Sequence, residues 1–140
     1  MKKLTNKKRA RLFKFMLLFY VICVCFLCFG QFSGIEEAPK YILGIEADKI
    51  VHFCMFFPFP ILLYLSGKSI TRKVRKAVFF SLDALVIGAA FAGATELIQR
   101  TIAYRTGDWH DFIADILALT IASGITVIIN TILLIKRASD

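Results

Sequence analysis

The sequence predicts an all-α polytopic membrane protein, a four-transmembrane-helix bundle forming a single domain over residues 1–140. Three observations predict it. First, 58% of the 140 residues are hydrophobic and only three are proline, far more apolar than an average soluble domain. Second, the apolar residues gather into runs at 12–32, 47–66, 77–99 and 112–135. At 1.5 Å per residue, about 20 such residues cross a hydrocarbon core of about 30 Å. Third, fourteen of the eighteen Lys and Arg residues fall in three clusters at the ends of these runs. Membrane proteins mark their cytoplasmic ends this way.

Residues 1–11 are read as a basic cytoplasmic tail, with Lys2, Lys3, Lys7, Lys8, Arg9 and Arg11. Lys14 opens the first run, where a long side chain can snorkel to the headgroups. The run from Leu12 to Phe32 is longer than the apolar region of a usual signal peptide, so a retained helix is expected. Residues 31–49 read as a loop. Its Glu36, Glu37, Glu46 and Asp48 outnumber Lys40 and Lys49, which places it outside.

The second run opens with ADKIVHF, and Pro58 and Pro60 are expected to bend or interrupt its helix. The basic segment Gly67 to Lys76 should be cytoplasmic. The third run repeats small residues four apart: Gly88 and Ala92, Ala89 and Gly93, Ala90 and Ala94. That spacing lets helices approach closely, within the bundle or in a homo-oligomer. The fourth run carries Ala114, Ala118, Ala122, Ser123 and Gly124, and Lys136 and Arg137 close it. The expected outer side then holds four basic and eight acidic residues, and the inner side fourteen and two. Both termini are therefore expected in the cytoplasm, with the protein in the cell membrane.

Membrane lipids are the expected surroundings. Nucleic acid is not an expected partner, because the basic clusters mark run ends. Cys23, Cys25, Cys28 and Cys54 lie in apolar runs. The CxxC spacing of Cys25 and Cys28 has no second pair, so these thiols read as small buried hydrophobes.

The chemistry concentrates in a polar island, Thr95 to Asp115. The predicted topology brings three distant patches to one outer face: Asp48, Lys49 and His52; Glu96 and Gln99; Asp108, Asp111 and Asp115, with Arg105 in the intervening turn. Charges near hydrocarbon need partners, so convergence here points to a site. Glu96 and Arg100, four apart, can pair locally. Asp108 suits an N-cap for the fourth helix, with Asp111 in its first turn. Asp115 lies one turn deeper and is expected to pair with Lys49, Arg105 or His52. His52 suits a general base, a metal ligand or a satisfied interfacial histidine. The spacing matches no strong metal motif, and neither a resident metal nor a cofactor is expected. Asp83 and Asn130 are expected to hydrogen-bond across the third and fourth helices.

DKIVHF at 48–53, ELIQ at 96–99 and RTGDWHDFIAD at 105–115 together resemble the signature of VanZ-like membrane proteins. The family pattern reads roughly D-K-x-x-H-F, E-x-x-Q, then R and a short gap to D-x-x-x-N-x-x-G. The match covers residues 48–118, about half the chain. Asp115 stands where the family usually has Asn, and Ala118 where it usually has Gly. The resemblance implies a multi-pass protein of the bacterial cell envelope. It also implies a link to low-level resistance to teicoplanin-type glycopeptides, with a cell-wall precursor or the glycopeptide as ligand. Three functions follow: a binding protein, a membrane-embedded enzyme acting on a lipid or isoprenoid-linked headgroup, or a structural protein without a ligand. Whether the chain is an enzyme is open at this stage. For the enzyme, His52 and Glu96 are the acid/base candidates and Arg105 the phosphate clamp.

Overall fold

A computed structural model describes residues 2–31, 40–67, 73–103 and 108–139. The chain runs α1 (Lys2–Phe29), β1 (Tyr41–Ile42), β2 (Ile45–Glu46), α2 (Ala47–Phe56), α3 (Pro58–Ser66), α4 (Val74–Gln99) and α5 (Trp109–Ser139). Four segments are long and apolar enough to cross a membrane: Lys7–Phe29, Ala47–Ser66, Val74–Gln99 and Trp109–Lys136. The all-α membrane bundle expected from composition is the observed fold.

Its burial pattern is inverted relative to a soluble protein. Phe15, Phe19, Phe26, Val86, Leu97 and Ile135 are exposed, Phe19 to 70%, while Asp115 and Asn130 are fully buried. Water would penalise that apolar surface, and lipid does not. The buried threonine hydroxyls are satisfied within their own helices, Thr95 donating to the Ala92 carbonyl and Thr126 to that of Ala122.

The helix borders have local causes. The basic residues expected as a tail continue α1, which begins at Lys2 and stops at Phe29, before Gly30. The segment expected as a plain loop contains a two-stranded hairpin, Tyr41 opposite Glu46 and Ile42 opposite Ile45. Its two central residues both have positive φ, 53° at Leu43 and 81° at Gly44, as a type I′ turn requires. The hairpin leads directly into α2.

The expected interruption falls at Phe57. Pro58 and Pro60 cannot donate to the carbonyls of Cys54 and Phe56, so the helix is divided there although Phe57 keeps helical dihedrals. Tyr20 of α1 donates its hydroxyl to the Met55 carbonyl beside this break. That bond ties α1 to α2 next to the break, although the carbonyls freed by the prolines are those of Cys54 and Phe56.

The core joins all five helices: Val24 and Cys28 of α1, Met55 and Phe56 of α2, Phe59 of α3, Ala92 of α4, Ala118 and Leu119 of α5. Small residues set the closest approach. A Cβ on Gly88 would lie 2.6 Å from Leu119 Cδ2 and 3.2 Å from a Phe59 ring carbon. Ala92, Ala118 and Ala122 are fully buried. Gly124, expected to pack, instead faces open space. Among the thiols only Cys28 is buried, and Cys54 is exposed.

The expected Asp83–Asn130 bond is not made. Asp83 is exposed, and Asn130 accepts from the Tyr64 hydroxyl of α3. The buried face of α4 runs through Ala77, Ser81, Ala84, Gly88, Ala92 and Thr95. Asp83 is one residue, about 100°, away from Ala84 and so turns off that face.

Candidate functional site

The start of α2, the end of α4 and the start of α5 meet at one end of the bundle. Each brings at least one acidic residue. Asp48 and His52 stand one turn apart on α2, and Asp111 and Asp115 one turn apart on α5. These pairs lie side by side and form two rungs, with Glu96 of α4 closing the deeper one.

His52 is the centre. Its Nδ1 lies 3.2 Å from Asp115 Oδ1 and 4.0 Å from Glu96 Oε1, and its Nε2 lies 4.0 Å from Asp111 Oδ2. His52, Glu96, Asp111 and Asp115 are all buried. Asp115 has the partner the sequence suggested, His52. Glu96 does not: its expected partner Arg100 is exposed and forms no ion pair with it among the described residues. Both Glu96 carboxylate oxygens, and Asp111 Oδ1, lack a hydrogen bond.

Two sets of donor atoms come within 4.8 Å of one another, Asp48–His52–Asp111 at the rim and His52–Glu96–Asp115 below it. The deeper set is entirely buried, whereas Asp48 leaves the rim set exposed. Each set is nitrogen and oxygen only, a donor chemistry that suits first-row divalent ions.

The remaining predicted residues divide between the rim and the scaffold. Lys49 is paired with Glu46 and lies 3.7 Å from Asp108 Oδ2, so its charge stays at the rim. Asp108 caps α5: its Oδ1 accepts from the His110 backbone N–H at 3.0 Å and from the His110 ring at 2.9 Å. These bonds, the backbone one first, pull the Asp108 carboxyl below its usual range, and Lys49 adds to them. Gln99 is not in the pocket. Its Nε2 donates to the Cys28 carbonyl at 3.1 Å, in the last turn of α1. The E-x-x-Q pair is thus split, Glu96 to the pocket and Gln99 to the scaffold. Arg105 lies outside the described residues.

Sequence reasoning missed the contribution of α1. Tyr20 and Cys28 carry no motif, yet they tie α1 to the two helices that supply His52 and Glu96. A tyrosine deep in an apolar run is the one signal that pointed there.

Comparison with protein-family models, with curated proteins and with solved structures gives no match.

Proposed function

We propose that this chain is a VanZ-like protein of the bacterial cell envelope that binds a ligand through the pocket around His52. It is an integral membrane protein by its four spans. The observation that carries the binding reading is Glu96, whose buried carboxylate has no hydrogen-bond partner while facing His52. A buried polar group left unmatched costs stability unless something else completes it. Support also comes from the VanZ-like motif positions. Asp48, His52, Glu96, Asp111 and Asp115 come from separate motifs and fall within one cluster. The basic clusters at the opposite end favour an outward-facing pocket, within reach of lipid-linked precursors and glycopeptides.

Expression in a teicoplanin-susceptible Gram-positive host tests this reading. Wild-type chain raises the inhibitory concentration, and Glu96→Gln and His52→Ala abolish the rise while still inserting in the membrane. No rise with wild type removes the link to resistance. Loss of the folded chain with every pocket change marks a purely structural lock instead. Orientation is tested independently at Leu43, 98% exposed at the hairpin tip. An impermeant thiol reagent should label Leu43→Cys, in a chain otherwise free of cysteine, on intact cells.

One observation favours a second reading, an enzyme acting on a lipid-linked headgroup. Asp115 beside Nδ1 orients the His52 imidazole and leaves Nε2 available for proton transfer. Turnover of an isoprenoid-linked phosphate by purified protein, lost in His52→Ala, distinguishes it from binding.

A further inference from the structure

We infer that the deeper rung of the pocket is a divalent metal site, with His52 Nδ1, Glu96 and Asp115 as its protein ligands. The inference rests on the reading of this pocket as the functional site and names the cation that the site holds.

Charge is the first argument. Three carboxylates, those of Glu96, Asp111 and Asp115, are buried around a single imidazole. Lys49 is engaged with Glu46 and Asp108 at the rim. Burying carboxylates without counter-charge is unfavourable, and intramembrane acids pair with a cation or give up their charge. A divalent ion matches the two charges of Glu96 and Asp115.

Geometry is the second. A four-coordinate ion with bonds of about 2.1 Å holds adjacent donor atoms about 3.4 Å apart. His52 Nδ1 is 3.2 Å from Asp115 Oδ1 and 4.0 Å from Glu96 Oε1, and all three donors lie within 4.8 Å. These spacings bracket that value, so small rotations of the carboxylates close the set. The independent indication is Glu96 itself. It is only 4% exposed, neither of its oxygens has a hydrogen bond, and it faces the imidazole.

Metal-bound histidines donate their other N–H to a carboxylate that fixes the ring. The carboxylate nearest Nε2 is that of Asp111, at 4.0 Å, beyond hydrogen-bond reach, so Asp111 is not counted in the site. One imidazole with two carboxylates suits zinc or manganese better than calcium, which takes oxygen ligands. Three protein ligands leave a coordination position for an oxygen of the bound ligand.

The test uses the full chain in detergent micelles, stripped with a chelator, dialysed against zinc or manganese chloride and analysed by elemental mass spectrometry. The expected result is about one ion per wild-type chain, and binding weakened more than about 100-fold in Glu96→Gln and Asp115→Asn. Asp111→Asn removes no proposed ligand and should weaken it far less than either of those changes. Wild type holding no more metal than empty micelles overturns the site, as does unchanged binding in both ligand variants. If those variants do not fold, the wild type decides alone. Zinc should raise its unfolding temperature and the chelator reverse the rise, and no shift overturns the site. Metal bound without a resistance phenotype removes the glycopeptide reading and leaves this site standing. A Glu96-dependent phenotype in a wild type that binds no metal overturns this inference and leaves the binding reading.

Discussion

His52 Nδ1 lies 3.2 Å from Asp115 Oδ1, joining α2 to α5 across 63 residues of sequence. Asp115 is fully buried about 9 Å along α5 from Trp109, so it cannot exchange this partner for bulk water. Removing one member of such a pair leaves the other buried and unmatched, at a cost of about 3–5 kcal/mol. Asp115→Leu should therefore unfold in micelles at markedly lower temperature than wild type. In the metal-free chain, Asp115→Asn keeps an acceptor for the Nδ1–H and should lose much less. A double-mutant cycle with His52→Gln measures the coupling, and additive losses would show that the two residues act independently.

Gly88 and Gly124 make a matched contrast on α4 and α5, which pack against each other. A methyl group added at Gly88 would press on the Leu119 side chain, which is fully buried and must repack against its neighbours to make room. Overpacking of this kind costs about 1–3 kcal/mol. Gly124 has open space where its Cβ would be. There, Gly→Ala should be neutral or stabilising by up to about 1 kcal/mol through helix propensity. Thermal unfolding of Gly88→Ala and Gly124→Ala in one detergent checks the pair. Equal effects would mean that α4 and α5 do not approach as described.

Asn130 separates the α4 and α3 accounts of its partner. Tyr64 of α3 donates to it, and Asp83 of α4 is exposed. Tyr64→Phe should destabilise by about 0.6–1.7 kcal/mol, the range of hydrogen bonds between membrane helices. Asp83→Leu should stay within about 0.5 kcal/mol of wild type. The reverse order of effects would restore the Asp83 contact.

The contrast shows which parts of the chain were legible. Run length and the placement of Lys and Arg are one-dimensional signals, and they sufficed for four spans. The convergence of His52, Asp111 and Asp115 followed as soon as antiparallel helices were assumed. Depth along a helix was therefore readable, but rotation about its axis was not. Asp83 and Asn130 do lie near the same end, yet a 100° step turns Asp83 away. Glu96 and Gln99 share an expected face, but one meets His52 and the other meets α1. In lipid the outer face is as apolar as much of the core, so the hydrophobic periodicity that fixes rotation in a soluble helix is weak.

Asp108 gives the pH dependence. His110, through its backbone N–H and its ring, holds the Asp108 carboxyl below its usual range. A carboxyl depressed on folding contributes stability above its unfolded pKa of about 3.9, and loses it as pH falls through the lower folded value. The protection factors of amides 109–112, corrected for the intrinsic pH dependence of exchange, should therefore fall below about pH 4 in wild type. Asp108→Asn should remove that acid-dependent part while keeping a side-chain cap. Identical acid profiles for the two chains would exclude Asp108 as the titrating cap.

Gln99 tests whether α1 is part of the site's frame. Its amide donates to the Cys28 carbonyl in the last turn of α1. Tyr20 makes the companion attachment to Met55 at the proline break. Together they hold α1 against the helices that carry Glu96 and His52. Gln99→Leu keeps the bulk but removes this hydrogen bond between α4 and α1, at a net cost of about 0.5–1.5 kcal/mol. The effect should be local. Hydrogen exchange should rise at the end of α1, residues 26–30, with less change in α5. Tyr20→Phe added to Gln99→Leu should spread it along α1, because both attachments are then lost. A uniform loss of protection over all helices would instead make Gln99 a general core residue, and α1 no separable strut.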